Sequence, residues 1–364
     1  MAVYKIFAQK DATLYSNYPS ENTGLDQILE IGNTLGVDTG DAPQVMRSLI
    51  KFDTADITYV LNNLVSGSQF TASLKLYIAV ADSIPVDYDI NCYLVSGSWT
   101  MGTGKFQDTP ENNTGVSWTW RTYSGSDPWI PVAYSSSVTA SYAAGYPGGG
   151  TYIYSNFASQ SFQYGDYQDI DIDVTNLVKS IYSSSINDGF LLKLDDSLEF
   201  VSSSLFSFKY FSVDTPTIYP PVLEFGWSNS TFVTASNKAV ISDSNFITTV
   251  KNSPYVFDTN AVQRFRLEAR PQYPVRAFTT SSVYLTTYYL PQNSYYQVRD
   301  MDTNEVIVDF DNNNTKISAD TTSSYFDIYM HGLQPERYYK IFIKTTLDGS
   351  TIIRDSNLTF KVTQ

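Results

Sequence analysis

Histidine and cysteine are almost absent: the 364-residue chain has one of each, His331 and Cys92. A disulfide within the chain and a zinc site built from Cys and His are therefore excluded, and a Cys–His dyad is excluded unless those two side chains meet. Charge is also scarce, at 16% of residues, and no window approaches the eighteen or so consecutive apolar residues of a membrane-spanning helix. The opening residues Met1-Ala2-Val3-Tyr4-Lys5-Ile6-Phe7 carry neither a basic n-region nor a long apolar h-region. The expectation is a chain made and kept soluble, with no signal peptide, no membrane insertion and no enzymatic chemistry.

Aromatic residues are abundant, with 29 Tyr and 21 Phe, and the polar remainder is mostly Ser, Thr and Asn. That composition favours strands. Charge is distributed unevenly. Residues 1–226 hold ten Lys and Arg against 24 Asp and Glu, a net of −14, whereas residues 227–364 hold thirteen of each. An acidic field of this size repels phosphate backbones and anionic membranes, so nucleic acid is not an expected partner.

Period-two alternation dominates. Ser73-Leu74-Lys75-Leu76-Tyr77-Ile78, Asn91 to Val95, Phe190 to Leu194 and Phe206 to Phe211 all read as strands between Gly, Pro, Asn and Asp clusters. One short helix is expected at 173–182, where Leu177, Val178 and Ile181 share a face behind an Asp or Thr cap. Residues 122–168 contain no Lys or Arg and read as a long loop insertion with room for one hairpin. A diproline, Pro220-Pro221, leads into a closing strand, and the charge balance changes just after it. The division expected is one domain over 1–226, a connector over 227–258 and a second domain over 259–364. In the second, strands are expected at Arg264–Glu268, Ser282–Thr286 and Tyr295–Arg299, and a hairpin turns at Asp348-Gly349.

Several constellations admit two readings. Alternation places Asp169, Asp171 and Asp173 on one face, which gives either a hard-oxygen site for Ca²⁺ or a solvated strand face ending in a helix cap. Trp99, Trp118, Trp120 and Trp129 fall within 31 residues, near Tyr142, Tyr146, Tyr152 and Tyr154. Trp99 reads as a packing residue. The others offer aromatic anchors for a protein interface, or stacking surfaces for sugar rings. Arg264, Arg266, Arg270 and Arg276 form either a solvated strand face or a docking surface for an acidic partner such as the N-terminal domain of a second copy. His331 reads as a turn residue and Cys92 as a small core residue.

The N-terminal part resembles the DNRLRE-type β-sandwich domain, which implies a jelly-roll-like sandwich. The resemblance rests on serial order: Lys10-Asp11-Ala12-Thr13-Leu14-Tyr15, Asn22-Thr23-Gly24, Ile28 to Gly32, Arg47 to Asp53, Ala72 to Tyr77, Val95 to Thr100, Ile172 to Val178, Gly189 to Lys193 and Pro220 to Glu224. The name's own motif is absent, and Met101 stands where a Glu often follows the Trp-Thr pair. The C-terminal part looks like a fibronectin type III or immunoglobulin-like sandwich, because Leu333-x-Pro335 followed by Tyr339 is the tyrosine-corner spacing. Together with the stretch Arg270 to Pro291, that half resembles virion structural proteins of large contractile-tailed phages. What the resemblance implies is an all-β virion component in the baseplate, neck or tail apparatus. Its partners would be other virion proteins or copies of itself. The alternative is a carbohydrate-binding module or adhesin for host polysaccharide. No cofactor is expected, apart from the calcium reading of the three aspartates.

Overall fold

The computed structural model describes residues 2–35, 43–65, 69–123, 125, 127–129, 148–251, 253–273 and 288–364. The fold is all-β, with two compact units. One comprises Ile6–Asn62 and Thr71–Glu224, and the other comprises Met1–Lys5, Asn63–Phe70 and Phe225–Gln364.

The first twelve strands in chain order are β1 (Ala2–Phe7), β2 (Lys10–Tyr15), β3 (Ile28–Leu35), β4 (Pro43–Lys51), β5 (Phe70–Leu76), β6 (Ile78–Val80), β7 (Tyr88–Val95), β8 (Tyr152–Phe162), β9 (Ile170–Asp173), β10 (Phe190–Leu194), β11 (Phe206–Phe211) and β12 (Val222–Trp227). They make an eight-stranded sheet in the order β6-β11-β3-β4-β10-β7-β8, with β2 also paired to β4, and a four-stranded sheet in the order β1-β12-β5-β9. Side-chain period explains the burial. In β5, Ala72, Leu74 and Leu76 turn inward, and in β9 Ile170 and Ile172 do so while Asp171 and Asp173 remain exposed. β4 is buried on both faces, and its edges are paired with β10 on one side and with β2 and β3 on the other.

Among the described residues three short α-helices join these strands, α1 (Thr54–Tyr59), α2 (Thr175–Ser184) and α3 (Asp196–Glu199), and a π-helical turn at Val60–Leu64 continues α1. α2 is the helix expected from the sequence, set two residues later, with Leu177, Val178 and Ile181 buried and the Asp173 carboxylate accepting from the Thr175 amide at 2.9 Å. α1 was not expected, although its cap was readable: Asp53 accepts from the Ala55 amide at 2.7 Å. The 122–168 segment is not loop throughout, because Tyr152–Phe162 forms β8, the last strand of the large sheet.

The second unit adds β13 (Phe246–Val250), β14 (Val256–Asp258), β15 (Val262–Pro271), β16 (Ser294–Asp300), β17 (Val306–Val308), β18 (Ser318–Ala319), β19 (Ser324–Tyr329), β20 (Tyr338–Leu347) and β21 (Ser350–Thr363). They form sheets β13-β15-β19-β18 and β14-β21-β20-β16-β17, packed over Phe265, Phe326, Tyr339, Ile341 and Phe360. The hairpin between β20 and β21 turns at Asp348 and Gly349, with φ of +48° and +78°, the left-handed pair that a two-residue turn requires. The strand expected at 282–286 lies outside the described residues.

The stretch 227–258 does not behave as a connector. β13 pairs with β15, β14 pairs in parallel with β21, and Ile241, Phe246 and Phe257 belong to the core. Its Ser, Thr and Asn content hides this, because an edge strand needs only alternate apolar side chains.

Candidate functional site

One face of the large sheet carries a buried charge network. β4 supplies Arg47, β10 supplies Lys193 and α3 supplies Glu199, and none of the three side chains is exposed. Arg47 Nε and Nη2 reach the two Glu199 carboxylate oxygens at 2.7 and 2.8 Å, and Nη1 donates to the Gly149 carbonyl at 2.8 Å. Lys193 Nζ lies 3.0 Å from Glu199 Oε2 and donates to the Leu194 carbonyl at 2.9 Å. Lys193 also pairs with the part-exposed Asp196. Burial pulls the Arg47 and Lys193 pKa values down, but the Glu199 carboxylate outweighs it and both end above their ordinary values. Two cations and two carboxylates balance within the cluster, which ties β4, β10 and α3 together.

The tryptophans lie against this network. Trp118 covers the Arg47 guanidinium at 5.1 Å, and Trp129 Nε1 donates to the Ser117 carbonyl at 3.0 Å. Gly149 passes between Arg47 and Trp118 with φ +79°, where a Cβ would stand 2.8 Å from both. Trp118, Trp129 and Tyr152 are therefore core residues, packed in one cluster with Leu14, Val45, Leu49, Tyr93 and Leu191, which corrects their expected role as interface anchors. Trp99 is buried in the same cluster, and its Nε1 donates to the Asp188 carbonyl at 2.7 Å. Trp120 is half-buried. Tyr142 and Tyr146 lie outside the described residues.

Tyr154 does reach the surface. It is 48% exposed and Phe157 is 52% exposed. Both lean on Tyr93 of β7, with ring centroids 6.1 and 5.4 Å away. Phe157 escapes a sequence reading because strict alternation puts it on the face opposite Tyr152 and Tyr154. A register shift between Tyr93 and Val95, where β8 advances five residues against two on β7, breaks that parity and brings all three rings against Tyr93. The resulting aromatic strip lies on a strand with no charged side chain.

The calcium reading of the three aspartates fails. Asp169 accepts from the Ile78 amide at 2.8 Å, Asp171 faces Lys75 at 3.6 Å and Asp173 starts α2. Among the described residues no group of three His, Cys, Asp or Glu is placed to hold a metal ion. The arginines are likewise engaged within their own sheet. Arg264 makes a two-pronged bond to Asp327 at 2.8 and 2.9 Å, and Arg266 does the same to Asp320 at 3.1 and 2.9 Å. Arg270 donates to the Pro271 carbonyl at 3.4 Å, and Arg276 lies outside the described residues. Cross-strand carboxylates on β19 and beside it thus supersede the docking reading for Arg264 and Arg266.

Tyr339 is buried, and its hydroxyl donates to the Gln334 carbonyl at 2.8 Å, which is the bond of a tyrosine corner. His331 stacks on Tyr4 with centroids 5.1 Å apart. Cys92 is fully buried, and burial pushes its thiol well above the ordinary range.

A cleft that sequence reading did not single out lies between residues 17–21 and 107–111. It has a volume of about 500 Å³ and is lined by Asn17, Tyr18, Glu21, Gln107, Asp108 and Glu111 together with Pro19, Ser20 and Thr109. Its two walls are tied together below the surface. Asn22 accepts from the Gly104 amide at 2.8 Å and donates to the Met101 and Val116 carbonyls, each at 2.7 Å. Phe106 stacks on Tyr15 at 4.2 Å and meets the Tyr18 ring edge-on at 5.2 Å. The Glu21 carboxylate accepts from the Gln107 amide, where Gln107 has φ +60°. Burial raises the Glu21 carboxyl and pushes Asp26, which accepts from the Phe106 amide, up to about 6. No Lys or Arg lines the cleft.

No family model matches the chain, and no curated protein matches it. Among solved structures it aligns at 8% identity and a TM-score of 0.17 with a DUF4785 family protein from Legionella pneumophila, covering all of this chain and 62% of that one. It also aligns at 10% identity and a TM-score of 0.20 with a β-glucuronidase from Parabacteroides merdae, covering 99% of this chain and 36% of that one. The chain therefore spans under two thirds of the length of either, and similarity this low carries no argument about function.

Proposed function

We propose that this chain is a structural component of a tailed-phage virion, in the baseplate, neck or tail apparatus, held to other virion proteins or to copies of itself by non-covalent contact. The observation that carries the reading is the Tyr154–Phe157 strip. Two half-exposed aromatic rings supported by Tyr93 on an uncharged strand supply large contact area at low entropic cost, as interface anchors do. The internal pairing of Arg47, Lys193, Glu199, Arg264 and Arg266 supports a role in rigidity rather than turnover. The resemblances at Lys10–Glu224 and Leu333–Tyr339 point the same way. Among the described residues no helix is long and apolar enough to cross a membrane. Cryo-electron microscopy of purified virions tests the proposal. It expects both β-sandwiches at a defined tail, neck or baseplate position, and absence of the chain from purified particles contradicts it.

The cleft at residues 17–21 and 107–111 favours a second reading, recognition of host polysaccharide, because a polar concavity with an aromatic wall suits a sugar.

A further inference from the structure

We propose that the cleft between residues 17–21 and 107–111 binds a neutral saccharide, with Tyr18, Gln107, Asp108 and Glu111 as the contacting side chains. The proposal rests on the polysaccharide reading and specifies its site and ligand class.

Three features of the cleft select that ligand. Its volume of about 500 Å³ lies within the range of small-molecule sites, ~300–1,000 Å³. The lining combines carboxylate acceptors at Asp108 and Glu111 with an amide at Gln107 that both donates and accepts, and a hydroxyl at Thr109. A ring of hydroxyl groups meets that mixture, whereas an apolar ligand would leave it desolvated and unpaired. Tyr18, half-buried against the edge of Phe106, offers a ring for the C–H face of a pyranose.

Charge then narrows the class. Glu21, Asp108 and Glu111 lie in a lining that itself holds no Lys or Arg, and Lys105 is the cation next to it in the chain, so uronates and phosphorylated sugars meet net repulsion. A bare divalent cation is not favoured, because among the described residues no three such groups are placed to hold one. The cleft is also preorganised. Asn22 and Phe106 fix its floor, and Glu21, buried beneath Gln107, acts as a positioning residue that holds the 107 backbone in its left-handed turn.

The test uses the full chain in two steps: an array of neutral and acidic glycans, then titration calorimetry with a neutral oligosaccharide that scores and with an oligogalacturonate. Variants are Tyr18→Ala and Glu111→Lys, the second on an exposed side chain so that folding is preserved. The proposal expects binding of neutral saccharides, at least a tenfold loss of affinity in each variant, and an unchanged melting temperature for Glu111→Lys. Neutral-saccharide binding that persists unchanged in both variants overturns the cleft assignment and leaves the polysaccharide reading standing. Binding restricted to acidic glycans overturns the ligand class, and no glycan binding at all removes the cleft proposal and the reading together.

Discussion

Glu199 grips Arg47 through both carboxylate oxygens, at 2.7 and 2.8 Å, with neither side chain open to solvent. Lys193 completes the cluster from the neighbouring strand. Breaking such a pair from one side is costly, because the remaining charges stay buried without their partner. Glu199→Gln removes the carboxylate that Arg47 and Lys193 share and leaves the part-exposed Asp196 beside Lys193. The expected loss is about 3–5 kcal/mol of unfolding free energy. Urea denaturation checks it, and a loss below about 1 kcal/mol would show that the network contributes little.

Gly149 threads the gap between that network and Trp118. Gly149→Ala places a Cβ 2.8 Å from Arg47 Nη1 and from the Trp118 ring, at a φ of +79° that side chains resist. The expected cost is about 1–3 kcal/mol. A melting temperature equal to the parent's would mean that the backbone there shifts freely.

Asp11 is buried on β2, with the Val213 amide on one oxygen and Asp214 and Asp26 nearby. Burial chiefly, and those two carboxylates in addition, push its pKa from 3.8 up to about 8. The native state therefore holds a proton that the unfolded chain releases. That stability is complete below pH 3.8 and is lost as pH rises through about 8. Thermal stability should fall between pH 5 and pH 9, and Asp11→Asn, which keeps the acceptor, should flatten the fall. An Asp11→Asn profile parallel to the parent's would contradict this.

Tyr339→Phe removes the hydroxyl from the Gln334 carbonyl while the ring still packs on Phe360. The expected destabilisation is about 1–3 kcal/mol. Tyr338, 47% exposed on the opposite face, serves as the control and should lose far less on the same change. Equal effects in chemical denaturation would mean that the corner bond is not what stabilises this turn.

Legibility followed period and spacing. The strands at 73–76, 91–95, 190–194 and 206–211 were visible in alternation, and the corner at Leu333-x-Pro335…Tyr339 in its spacing. Trp118 and Trp129 were misplaced because a polar, glycine-bearing segment can fold back over a sheet, which composition does not reveal. Phe157 was hidden by the register shift on β8, since parity counted along the chain breaks wherever a strand bulges. Arg264 and Arg266 looked unpaired because Asp327 and Asp320 stand about sixty residues away in the chain and meet them only across β19 or beside it. The cleft was invisible for the same reason: residues 17–21 and 107–111 stand about ninety residues apart in the chain and meet only in the fold, through Glu21 and Gln107 and the contacts of Asn22 and Phe106.

The most direct measurement is the copy number of this chain in purified particles assembled with a Tyr154→Ser/Phe157→Ser double variant, read by quantitative mass spectrometry against the parent. If the strip over Tyr93 is the assembly surface, incorporation falls at least tenfold while the free variant melts within a few degrees of the parent. Incorporation at the parental level by a variant that folds normally would contradict the assembly role assigned to this surface.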